Sequence, residues 1–450
     1  MILRHDKIQS FITWLRNHRA ELILFSVAFG IRFLYALVVR FSYGQEGFIA
    51  YSDASYFYVG AARNLLNYQV FSLDFPPTLV SDPYRTPLYT GLIAALLWVK
   101  SSFFIIAVIQ NILAGIMSVL VYRIGRKLFE APGIAWFAAL VSSLEPLSIY
   151  WNNLLMSDYF FAFLFVLAVY YFVNQRFYRF AFVLGLATLT RPVSLYFLPL
   201  FLLTFIVWSR SDAVIRTVQT AKIGLSMIII FLVVLLPWSV RNQLTFGTWQ
   251  LSSASWYNLY HVVTNEFTKQ NNLVLPTRTV TFAYTNPAVG PYAFENIPFY
   301  KENFLRIVKE HPQAYLVFYG KRVLASLFVN PYNYLVNFVL KVKLSWLFNA
   351  VPGVVISIFL GLGGLFWKLT YLGLVLSVFD KRHALALTLF LGILGINFLT
   401  LGALVPPEPN GAGADSSRYL LPLAPFCFLF AAAGFAHLAQ LARKWIIKFF

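Results

Sequence analysis

The chain has 450 residues, 59% of them hydrophobic and only 12% charged, a balance that a soluble domain cannot solvate and that several buried membrane spans account for. Its formal net charge of +18 lies mostly in short clusters between apolar runs, so it reads as membrane topology and excludes a nucleic-acid partner. The single cysteine, Cys427, sits inside an apolar run, which excludes an intrachain disulfide and a cysteine-based metal centre.

A basic N-terminus (Arg4, Lys7, Arg16, Arg19) leads into an apolar run at 21–41 that lacks a small-residue cleavage site, so a retained first span is expected rather than a signal peptide. Further runs long enough to cross roughly 30 Å of hydrocarbon follow at 103–122, 133–151, 158–173, 223–240, 352–379, 384–405 and 419–441. The stretch 179–208 is interrupted by Arg191-Pro192, and the residue before proline resists helix, so two short crossings meeting at a turn are expected there. The expected fold class is therefore an all-α polytopic membrane protein of about ten transmembrane helices. Pro87 to Val99 covers only roughly 20 Å at about 1.5 Å per residue, and is read as a juxtamembrane helix in the outer leaflet.

Charge tests this topology. With both termini inside, the inner segments 1–20, 123–132, 174–180, 209–222, 380–383 and 442–450 hold 17 Lys or Arg in 64 residues. The outer segments 42–86, 152–157 and 406–418 hold 3 in 64, the asymmetry that the positive-inside rule asks for. Two outer segments are long, 42–86 and 241–350, and function is expected on their side. The chain divides into a membrane module at 1–240 with the first outer loop 42–86, a long extracytoplasmic loop at 241–350 and C-terminal helices at 351–450. No internal repeat, low-complexity tract or separate hydrophilic domain is present.

The polar residues at outer ends of spans are the candidates for chemistry. Asp53 precedes an amphipathic run to about Leu66 and reads either as its N-cap or as a general base. Asp158 opens the span at 158–173 with the same two readings. Asp82 and Arg85 stand just before the Pro87 helix, and an outward arginine at headgroup level suits bidentate phosphate binding as well as snorkelling. Glu145, followed by Pro146, is either an acid within a span or a group at its outer interface. Arg191, Arg241 and Arg418 each map to the outer end of a span; with Arg85 they form a set of guanidiniums suited to a phosphate-linked lipid. No Walker loop or G-x-G-x-x-G is present to cradle a nucleotide, and the six histidines show no metal-ligand spacing. A divalent metal ion, if one is used, has Asp53 as its candidate ligand.

In order along the chain stand the first-loop acid Asp53, "YRTPLY", "YRIGRKLF", "SIYWNNLLMSD", "GLATLTRP", "PWSVRN" and "RYLLPLAPF". This order and spacing resembles the bacterial branch of the protein O-mannosyltransferase and lipid A aminoarabinose transferase superfamily, whose members have the GT-C fold. It runs to about Asn242 and returns at 384–441, while 250–350 aligns to nothing. The resemblance implies a glycosyltransferase of the cytoplasmic membrane with an extracytoplasmic active site. Its donor would be a polyprenyl-phosphate sugar and its acceptor a lipid, glycan or protein. Asp53 then matches the acid that deprotonates the acceptor, Asp158 the acid at the outer start of the fourth span, and Arg191 a basic residue beside a proline; Arg85 and Arg418 join it on the carrier phosphate. Asp53 is followed by Ala54 where the mannosyltransferases carry an acidic pair. Readings from other classes are a flippase of lipid-linked saccharides and a non-catalytic subunit of the same fold; transporters commonly show repeats and midplane polar helices, whereas here polar residues gather at one face.

Overall fold

The computed structural model describes residues 13, 15–100, 102–129, 131–211, 217–277, 290–328, 330, 332, 352–402 and 418–449. Every regular element among them is helical. The first is α1 (Arg19–Tyr43), followed by π-helical turns at Asp53–Gly60 that run into α2 (Ala61–Tyr68). Then come α3 (Pro87–Val99), α4 (Phe103–Leu128), α5 (Pro132–Leu144), α6 (Pro146–Asn152), α7 (Ser157–Val173) and α8 (Phe177–Thr188). A 3-10 turn at Pro192–Phe197 leads into α9 (Leu198–Ser211), and α10 (Thr217–Phe246) ends the first half.

The second long loop contributes α11 (Ala254–Tyr257), α12 (Asn265–Gln270), α13 (Ile297–Glu310) and α14 (Pro312–Phe328), and α15 (Gly353–Ser377), α16 (Ala384–Gly402) and α17 (Ala424–Phe449) complete the chain. Each run expected to cross the membrane holds a helix. Among the described residues six helices, one of them Pro192–Ser209, the 3-10 turn continued by α9, are long and apolar enough to cross alone, and α5 with α6, bent by 54°, counts as a seventh if taken as one span. The helices α7 and α8 are apolar but shorter, at 17 and 12 residues. Several apolar helices of this length fit a multi-pass membrane protein. The expected juxtamembrane helix is α3, with 13 residues.

Proline punctuates the bundle. It occupies the first turn of α3, α5 and α6, where its missing N–H removes no helical hydrogen bond. At the α5–α6 break the lost bonds are replaced individually. The Ser142 carbonyl would take its bond from residue 146, a proline, and that of Ser143 from Leu147 N–H, which instead donates to the Glu145 carboxylate at 3.2 Å. Arg32, fully buried in the middle of α1, donates to both orphaned carbonyls, at 2.7 Å to Ser143 and 3.4 Å to Ser142. Glu145 also accepts from Ser148 N–H at 2.6 Å and from the Tyr332 hydroxyl at 3.1 Å. The helix does end before Pro146, but Glu145 is buried rather than facing an interface, and its carboxylate is the N-cap of α6.

One apolar core joins residues from α1 to α17, and a smaller one, around Val263, Phe267, Ile307 and Phe318, holds the second outer loop together. The C-terminal helix enters the main core on glycines. A methyl group at Gly434 would lie 2.0 Å from the Gly373 carbonyl oxygen of α15, and one at Gly373 would lie 2.9 Å from Ala431 Cα. On another face of α17, Leu429 fills the space over Gly125 of α4, with 2.7 Å left for a side chain there. Small residues permit backbones to approach this closely, which is how helices associate where no hydrophobic driving force separates them from lipid. Gly434→Val is expected to lower the melting temperature of the detergent-solubilised protein by several degrees, in line with an overpacking cost of about 1–3 kcal/mol. Gly361→Val is the control, because a side chain at Gly361 of α15 meets nothing within 4 Å; equal melting of the two variants would refute this packing.

Candidate active site

Backbone contacts knit the loops at one end of the bundle. Leu155 N–H donates to the Phe48 carbonyl and Leu88 N–H to the Leu189 carbonyl, both at 3.0 Å. The Thr86 hydroxyl reaches the Thr190 carbonyl, also at 3.0 Å. From the second loop, Ser253 N–H donates to the Pro83 carbonyl at 3.0 Å and the Ser252 hydroxyl to that of Tyr84 at 2.5 Å. The first loop is therefore fixed against the turns before α7 and after α8 and against the start of the second loop.

Two sequence candidates belong to this framework. Both carboxylate oxygens of the buried Asp82 accept backbone N–H groups, from Tyr84 at 2.7 Å and Arg85 at 3.1 Å, a turn that sets the direction of Arg85. Burial pushes the Asp82 carboxyl up to about 6 against these bonds and nearby Arg85. Arg241 donates to the Asp82 carbonyl at 3.0 Å and to the Asn242 side chain at 2.8 Å, with its guanidinium over the Trp238 ring at 4.5 Å. It ties the end of α10 to the first loop. Neither residue lines the cavity described next, and neither does Glu145.

That cavity has a volume of about 1090 Å³ and brings Asp53, Arg85, Asp158, Arg191 and Arg418 together. Arg418 donates from Nη1 to Asp53 Oδ2 at 3.1 Å, and Arg85 Nη2 lies 3.6 Å from the same oxygen. Arg191 Nη2 lies 2.7 Å from Asp158 Oδ1, and Arg418 Nε 3.9 Å from it. Burial would raise the Asp53 pKa, but the Arg85 and Arg418 guanidiniums outweigh it and hold the carboxyl below the usual carboxylate range. The Asp53 side chain is 19% exposed and that of Asp158 0%, so only the first is within reach of a substrate. Neither acid caps its helix: Asp53 pairs with Arg85 and Arg418, and Asp158 with Arg191 and Arg418. Among the described residues, two carboxylates thus face three guanidiniums around the cavity.

Sequence reasoning passed over the groups between the arginines. The Tyr58 hydroxyl accepts from Arg85 Nη1 at 3.1 Å and lies 2.6 Å from Ser157 Oγ, which accepts from Arg191 Nε at 3.1 Å. Tyr419 hydrogen-bonds Arg418 at 3.1 Å and lies under the Arg191 guanidinium, 5.1 Å from ring centre to carbon. Phe57 and Tyr84 flank Arg85 at 4.2 and 4.8 Å. Their one signal was proximity in sequence to a named acid or arginine. Away from these groups the cavity wall turns apolar, with Phe161, Leu195, Phe231, Leu232 and Ile396. Leu195 and Leu232 are exposed, at 38% and 54%.

Among the described residues no three His, Cys, Asp or Glu side chains are grouped to hold a metal ion. Both carboxylates of the cavity are paired to arginine, and a divalent cation there would face three guanidiniums. These residues do not fit a divalent ion, and no step is routed through one.

Residues 83–240 match the family model for dolichyl-phosphate-mannose-protein mannosyltransferase. The matched segment contains Arg85, Asp158 and Arg191 but neither Asp53 nor Arg418. No curated protein matches the chain. Among solved structures the chain is similar to the Archaeoglobus fulgidus oligosaccharyltransferase, crystallised with a tethered acceptor peptide containing the NVT sequon. The identity is 12% and the TM-score 0.50, over 96% of this chain and 51% of that one. The chain thus spans about half the length of the archaeal protein, and at this identity the likeness bears on fold. The matched segment, about a third of the chain, and this likeness over nearly all of it agree on one fold, the GT-C fold.

Proposed function

We propose that the chain transfers a sugar from a polyprenyl-phosphate donor to an acceptor hydroxyl by inverting displacement, on the extracytoplasmic side of the cytoplasmic membrane. The observation that carries this reading is the cavity itself: one reachable carboxylate, three guanidiniums around it and an apolar arm beside them. A polyprenyl phosphate has the complementary parts, an anionic head on a long apolar tail. The positive-inside asymmetry supports the side assignment, since the basic turns around Arg123, Lys127 and Lys381 stand at the end of the bundle opposite the cavity.

In the reaction Asp53 takes the proton of the acceptor hydroxyl as its oxygen bonds to the anomeric carbon. The bond from that carbon to the phosphate oxygen breaks, and the phosphate leaves with its electron pair toward Arg85, Arg191 and Arg418. A carboxylate held below its ordinary pKa is a weak base until the donor arrives. The donor phosphate then shares the arginines, and its negative charge raises the proton affinity of Asp53 at the moment the hydroxyl must be deprotonated. Asp158, buried and paired to Arg191, orients that arginine and meets no substrate.

Asp53→Asn tests the base assignment. Transfer of labelled sugar in membranes should fall about 10²–10⁴-fold, while donor binding stays equal or tightens because a competing anion has gone. An Asn variant that melts like wild type and transfers at its rate would refute the role. The pH profile gives a second check. The free enzyme needs ionised Asp53, whose pKa is lowered, so kcat/KM should stay flat down through the ordinary carboxylate value of 3.8 and fall only below it. The acid limb of kcat, which reports the donor complex, should lie at higher pH. An acid limb of kcat/KM at pH 6–7 would assign the base elsewhere.

A further inference from the structure

Together the hydroxyls of Tyr58 and Ser157 lack one hydrogen-bond acceptor among the described residues. Guanidinium N–H groups only donate, so Arg85 Nη1 makes the Tyr58 oxygen an acceptor and Arg191 Nε makes the Ser157 oxygen an acceptor. Between the two oxygens, 2.6 Å apart, one hydroxyl hydrogen is used. The pair has two hydrogens. Whichever way the bond runs, one hydroxyl hydrogen has no acceptor among the described residues. Both side chains are buried, at 3% and 0% exposure, where an unmade bond is costly. Tyr58 lines the cavity and Ser157 does not. If Ser157 donates to Tyr58, the remaining hydrogen is delivered to the cavity, and only a ligand there can accept it.

We propose that Tyr58 is a phosphate-binding residue, donating its hydroxyl hydrogen to an oxygen of the carrier phosphate, with Ser157 as the positioning residue that sets this polarity. Arg85, Tyr58, Ser157 and Arg191 then act as one continuous strip of donors in which two guanidiniums are spaced by two hydroxyls. The proton stays on Tyr58; the interaction is a hydrogen bond to charge that grows as the bond to the anomeric carbon breaks. This rests on the phosphate-linked donor proposed above and adds to it a neutral donor that discriminates phosphate from any uncharged headgroup.

The test measures binding of polyprenyl phosphate and of the uncharged polyprenol to purified protein in nanodiscs, for wild type, Tyr58→Phe, Ser157→Ala and Ser157→Thr. Melting temperatures are recorded beside it, and kcat and KM for the sugar donor are measured in parallel. Tyr58→Phe is expected to weaken polyprenyl phosphate about tenfold, the loss of one charge-assisted bond, and to leave polyprenol binding unchanged. The kcat of this variant should fall as well, because the bond strengthens in the transition state. Ser157→Ala should show part of this loss and Ser157→Thr should restore it, since a hydroxyl at that position is what the polarity requires. Equal weakening of phosphate and polyprenol would reveal a packing role and overturn the inference, as would a folded Tyr58→Phe protein that binds the phosphate within twofold of wild type. If wild type itself does not prefer the phosphate to polyprenol, the donor class is wrong and both readings fall together.

Discussion

Three guanidiniums gathered around one cavity repel each other; two unit charges 4 Å apart do so by about 4 kcal/mol at an effective dielectric of 20. Asp53 and Asp158 are what permit the gathering. Each is within ion-pair distance of two arginines, and Arg418 touches both acids. Among the described residues these two acids face three guanidiniums, so the cavity's arginines stand ready for an anion that enters it. For the phosphate of the proposed donor, preorganisation of this kind would lower the reorganisation needed on entry, and the loop-to-loop hydrogen bonds at this end of the bundle hold it in place.

In the proposed reaction the same network separates base from leaving group. Arg85 and Arg418 face Asp53 with one edge, and a guanidinium that bridges two anions keeps them roughly a guanidinium's width apart. Inverting glycosidases need a comparable gap, about 6.5–9.5 Å between their two carboxyl groups, so that the nucleophile can enter opposite the departing group. A base in direct contact with the phosphate would leave no room for the sugar ring. Placing cations between them serves both catalytic demands with the same side chains.

Sequence showed the helices well because span length and apolarity are local properties, and the order of helices follows the apolar runs from α1 to α17. It showed Asp53, Asp158, Arg85, Arg191 and Arg418 only as polar residues at one end of their spans. Their convergence joins residues as far as 365 positions apart, which no local pattern encodes. Asp82, Glu145 and Arg241 gave the same signal and have a different fate, because a carboxylate that turns onto its own following amides, or an arginine that turns onto a neighbouring carbonyl, is distinguished only by backbone geometry. Arg32 lay unremarked inside an apolar run. Its partner is the defect made by Pro146, more than a hundred residues away.

The matched family segment ends at residue 240, and Arg418 enters the cavity from beyond it. Its position depends on how α17 seats, and that seat is built of Gly434 against Gly373 and Leu429 against Gly125. The C-terminal helices are therefore part of the site rather than an anchor appended to it. The remaining wall comes from the second loop, with Ser252, Asn258, Leu259 and Tyr292, where the sequence aligns to nothing. In the proposed reaction the charged wall holds the phosphate and the second-loop wall faces the acceptor, and Tyr292, packed 4.1 Å from Tyr84 beside Arg85, is where the two walls meet.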